Sequence, residues 1–131
     1  MKNRETFKVF QILLTSEEVA KVNAEGHGSV PKHSARTDMH FSDNPQTIAF
    51  DAMEKGYYTH VANITTDRGL EGVFEVGQNV YEMSRSYGFF EMLERMHSIS
   101  VGDVIERENG DQYVVAEYGF KKLPVFAFPA E

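Results

Sequence analysis

The chain has 131 residues, 13 Lys and Arg against 20 Asp and Glu, a net charge of −7 and no cysteine. One domain, spanning 1–131, is expected at that length, and the missing thiols exclude disulfides, thiolate metal sites and cysteine nucleophiles. An apolar content of 41% and aromatic content of 12% suffice for a globular core, while no Lys/Arg cluster offers a phosphate-tracking surface, which disfavours direct nucleic-acid binding.

The first residues, Met1 to Phe7, carry positive charge without the apolar run of a signal peptide, and no later apolar stretch approaches a membrane span. A soluble, cytoplasmic protein is the expectation. Thr6–Leu14 reads as a first strand, with Phe7 and Val9 on one side and Phe10, Ile12 and Leu14 on the other, so it should be central and covered twice. Thr15-Ser-Glu-Glu18 matches a capping box and opens a short helix that ends at Gly26. From Gly26 to Asp43 no period is convincing, and the segment reads as a functional loop or as one hiding a short helix near Ser34–Phe41. Asn44-Pro45 starts a helix with an apolar stripe of Ile48, Ala49, Ala52 and Met53, stopped by Gly56.

Tyr57–Thr66 is β-prone by residue type. Thr66-Asp67 can cap a short helix through Leu70, Val73 and Phe74, and Val80–Gly88 is irregular. Phe89, Phe90, Leu93 and Met96 predict a short amphipathic helix. Two β-rich runs then flank Asn109-Gly110, the signature of a hairpin turn. An apolar tail, Val125–Phe128, lies between Pro124 and Pro129. The predicted class is α+β: a small, mainly antiparallel sheet of about four strands, short helices on one face and a C-terminal hairpin.

His27, His33 and His40, with Asp38, supply ligand types that zinc accepts, but spacings of six and seven match no compact metal motif. No metal or cofactor is therefore expected. Lys32, His33, Ser34, Arg36 and Asp38 hold a base, a nucleophile and a cation without a spacing that shows them oriented. This segment is a candidate binding loop through His33, Arg36 and His40. Asp103, after Gly102, has the residue type of a catalytic acid but reads as half of a turn pair. Residues 67–111 hold 10 acidic and 4 basic side chains, and Glu71, Glu75, Glu106, Glu108 and Asp111 are candidates for an acidic recognition face; the last three also form a rim that would discourage edge pairing. Phe126 and Phe128 must dock on their own domain or on another chain, which allows a homodimer through the tail.

The C-terminal pattern Ser98-x-Ser100-Val-Gly-Asp-Val104, Tyr113-Val-Val and Gly119-Phe120 resembles the close of small uncharacterised proteins of tailed phages and mobile elements, including YodL-like domains. The upstream strings His27–His33 and Tyr58–Ala62 are similar to short phage accessory proteins. The resemblance implies an origin more than an activity, and no catalytic residue carries over. The expected function is a non-enzymatic accessory protein that binds a host protein, with a nucleic-acid-binding partner suited to a DNA-like acidic face. The alternative is a small enzyme or ligand-binding domain built on the 26–43 segment.

Overall fold

Apolar side chains on both faces of one strand demand cover on both sides, and strand β1 (Glu5–Ile12) receives it. The computed structural model describes residues 4–78 and 89–124. After β1 come α1 (Ser16–Glu25), a single 3-10 turn (His27–Ser29), α2 (Pro31–Phe41), α3 (Pro45–Glu54), β2 (Tyr58–Thr66) and α4 (Gly69–Gln78). Strands β3 (Phe89–Met92), β4 (Val104–Glu106), β5 (Gln112–Val115) and β6 (Phe120–Lys122) follow. The sheet is antiparallel in every pairing and runs β3-β2-β1-β4-β5-β6, so β1 is interior.

Strand parity separates two cores. Phe7, Val9, Ile105 and Val115 join Val73 and Val76 of α4, with Met96 and Ile99, on one face. Ile12, Val104, Val114 and Leu123 join Met39 of α2 and Ala49 and Ala52 of α3 on the other. The helices therefore cover both faces rather than the one that was expected. A bulge reverses the parity of β2: Val9 pairs with Ala62 and Phe10 with His60, leaving Val61 as the extra residue. Val61 and Ala62 both enter the α4-side core.

The sheet has six strands rather than about four. Phe89–Met92 pairs with Thr65–Ala62 as β3 instead of forming the expected helix. Four residues, Phe89-Phe90-Glu91-Met92, are too few to distinguish the two periods, and the free edge of β2 decides between them. Phe120–Lys122 adds β6 beside β5; three residues are too few to carry an alternation signal. The turn expected at Asn109-Gly110 closes through Gly110 N–H donating to Arg107 O at 2.9 Å, with Gly110 at φ +93°. Because β4 and β5 lie inside the sheet, Glu106, Glu108 and Asp111 guard no edge. Among the described residues no helix is long and apolar enough to cross a membrane. Val80–Gly88, Phe126 and Phe128 lie outside the described residues.

The α4-side core closes on a glycine. Ile99 is fully buried and its N–H donates to Gly77 O at 3.2 Å, while a Cβ added to Gly77 would collide with Ile99 Cγ1 and Cδ1. In an open helix Gly→Ala gains about 1 kcal/mol; here overpacking reverses the sign. Gly77→Ala should lower stability by about 1–3 kcal/mol in urea denaturation. On an Ile99→Ala background the same substitution should cost less, and additive effects in that cycle would refute the close fit.

Candidate functional site

Helix α2 fills the segment expected to be a loop or to hide a short helix near Ser34–Phe41, and it starts earlier, at Pro31. Its start is fixed by Pro31 at the first helical position, which needs no N–H partner, after extended Val30 at φ −123°. The helix brings His33, Arg36, Thr37 and His40 onto one stripe, because residues three and four apart share a helical face. Ala35 and Met39 lie on the inward side and join the core. The stripe borders an open groove of about 850 Å³, completed by Phe41, by Leu14 after β1, by Val101 before β4 and by Glu117 in the β5–β6 turn. Four separate segments thus contribute.

The groove continues past His40 and Glu117 into a second depression of about 430 Å³ that includes Tyr118 and Lys121. Phe41 is 84% exposed and Tyr118 87%. The turn that displays Glu117 and Tyr118 is closed by Ala116 N–H donating to Gly119 O at 2.9 Å. Two large aromatic rings are therefore held in solvent beside the stripe of His33, Arg36 and His40.

The wall at Val101 is fixed by a buried polar knot. Gln11, the one polar side chain buried on β1, donates through Nε2 to Asp103 Oδ2 at 3.0 Å and to His97 O at 2.8 Å, and its Oε1 accepts from His97 N at 3.3 Å. Ser100 N–H also donates to Asp103 Oδ2, at 2.9 Å. The Tyr58 hydroxyl donates to Gly102 O at 2.6 Å, and Gly102 N–H to Val115 O at 2.9 Å. Both the side chain and the backbone around Val101 are thereby tied to β1, β2 and β5. Burial pushes the Asp103 carboxyl up to about 7, against the opposing pull of the Ser100 and Gln11 bonds and the positive field of Arg36. Burial and the nearby Asp103 charge push the Tyr58 hydroxyl up as well.

The expected binding residues His33, Arg36 and His40 are thus brought together. Asp38 and Ser34 are not: they line a different depression, between α2 and α3. Lys32 turns away too, bonding Leu13 O and Glu18 at 3.3 Å each. The proposed base, nucleophile and cation are dispersed, and among the described residues no three His, Asp or Glu side chains group as a metal site would require.

The acidic candidates are divided. Glu71 and Glu75 sit on α4, which covers one face, and Glu75 pairs with Arg68 at 3.1 Å. Glu106 lies in the register of Lys8, whose ammonium is 3.8 Å away, on the opposite face. Glu108 accepts from Thr6 N–H at 2.9 Å, and Asp111 meets Lys122 at 3.4 Å. Glu75, Glu106, Glu108 and Asp111 serve nearby internal partners, and the five carboxylates do not form one face.

Sequence reasoning missed Leu14, Thr37, Phe41, Val101, Glu117 and Tyr118 as site residues. The helical spacing of His33, Arg36 and His40 was the available signal for α2; the other walls depend on strand order, which short strands do not encode locally.

Asp103 gives a testable pH dependence. An unfolded Asp releases its proton near 3.8, the folded one near 7, so the folded chain binds more protons across that interval. Its contribution is complete below 3.8 and is lost as pH rises toward about 7, at about 1.4 kcal/mol per pH unit. Glu5, bonded by Arg107, and Glu18, bonded by Thr15 N–H, are held below the carboxyl value of 4.5 and act in the reverse sense, losing their contribution as pH falls from there. Asp103→Asn retains an acceptor for Gln11 and Ser100 and should flatten the curve of urea stability against pH between about 4 and 7; an unchanged slope would place the proton elsewhere. Comparison with protein-family models, curated proteins and solved structures finds no match, so this site is read from its own geometry.

Proposed function

We propose that the protein is a small, non-enzymatic binding protein that recognises a partner protein through the α2 groove. In the setting that its resemblance to phage accessory proteins implies, the partner belongs to the host and is met in the host cytoplasm. The observation that carries this reading is the convergence of His33, Arg36, His40 and Phe41 with Leu14, Val101 and Glu117 from three other segments. Aromatic and Arg side chains around a depression are the composition of protein-recognition hot spots. Exposed Phe41 and Tyr118 supply apolar area that binding would remove from water. The acidic side chains contribute solubility in this reading.

The test is retention of a host protein from bacterial lysate by the immobilised chain, repeated with variants. Phe41→Ala and Tyr118→Ala should each weaken retention at least about tenfold, the cost of losing an aromatic anchor. Melting temperature should change little, since both side chains are exposed. Glu71→Gln with Glu75→Gln should bind as the parent does. Retention that survives Phe41→Ala but fails in the Glu variants would move recognition to the acidic segment, and no retained protein at low salt would end the proposal.

A further inference from the structure

We infer that the segment held in the groove is an acidic peptide, with an Asp or Glu carboxylate seated on Arg36 and a neighbouring apolar side chain against Phe41, Leu14 and Val101. This rests on the groove being the recognition surface. Among the described residues, Arg36 enters none of the ion pairs, although this chain has 20 carboxylate side chains. Asp103 is near enough for the two charges to feel each other, yet it is 4% exposed and bonds Gln11 and Ser100 instead. The guanidinium lines the groove and offers a planar fork that matches a carboxylate.

His33 and His40 stand one turn to either side of Arg36 on the same groove wall. The row from 33 to 40 is about 10 Å long at the helical rise, the length of about three residues of extended peptide. Imidazole N–H groups can add donors along it. Glu117 on the facing wall selects among anions. It accepts the backbone N–H groups that a peptide has and a phosphate lacks, and it repels a doubly charged group more than a singly charged one. A nucleic-acid backbone is disfavoured further by the net charge of −7. Charge and shape together fit one carboxylate carried on a peptide.

A displayed library of random heptapeptides, selected on the full chain, tests the inference. Enriched peptides should share an Asp or Glu beside an aromatic or aliphatic residue. Replacing that acid by its amide in a synthetic peptide should weaken binding roughly 10- to 100-fold by calorimetry, the worth of a charge-assisted hydrogen bond. Arg36→Gln should bind the acid and the amide peptide alike, and because the amide peptide leaves the protein untouched, a folding defect cannot imitate the result. A basic or uncharged consensus whose binding still depends on Phe41 would overturn the carboxylate and leave the groove as the recognition surface. No enrichment, or peptides that bind Arg36→Gln and Phe41→Ala as well as the parent, would overturn both.

Discussion

A buried amide in the middle of a sheet is costly unless every donor finds an acceptor, and that constraint organises this protein. Gln11 sits on the strand that both cores share, and its amide reaches the backbone of His97 and the carboxyl of Asp103. The segment between Met96 and Asp103 has no regular structure of its own, so these bonds determine where it lies. Once it is placed, Ile99 closes the α4-side core, β4 starts in register with β1, and Val101 becomes a wall of the groove. One side-chain amide thereby connects the two cores to the shape of the groove.

Much of the architecture could be read from residue types. The double cover of β1, the capping box at Thr15 and Glu18, the helix opened by Pro45 and the turn at Gly110 all depend on neighbours within a few positions, and all were found. What escaped depends on distant partners. The residues at 89–92 contain apolar positions compatible with either period, and only the edge of β2 selects the strand. Helix α2 lacks a side-chain cap and mixes two histidines, a threonine and a serine among its stronger helix formers. Its stability comes instead from Ala35 and Met39 packing into the core and from its contact with α3, neither of which has a local signature.

The site follows the same division. The stripe was visible as His33, Arg36 and His40, since all three lie within one continuous segment. Glu117 and Tyr118 were invisible as site residues because β6 must first fold back on β5 to turn them toward α2. The acidic excess of residues 67–111 was also plain, but a linear run of charge says nothing about direction. Its members lie on both sides of the sheet, and Glu75, Glu106, Glu108 and Asp111 find a cation or a backbone N–H close by. Such exposed pairs contribute at most about 1 kcal/mol each, so their role is solubility more than cohesion.

Helix α1 has a different status from the rest. None of its residues is buried, and Val19 is 44% exposed. It is fastened by polar links: the reciprocal bonds of Thr15 and Glu18, the Lys32–Glu18 pair, and Ser29 reaching Lys21 O. With so little apolar area at stake, its amides can open to solvent while both cores stay closed, making α1 the first helix among the described residues to exchange hydrogen or admit a protease. Glu18 and Lys32 join this loosely held helix to the beginning of α2, so the same few contacts that let it detach also give it a mechanical connection to the helix that lines the groove.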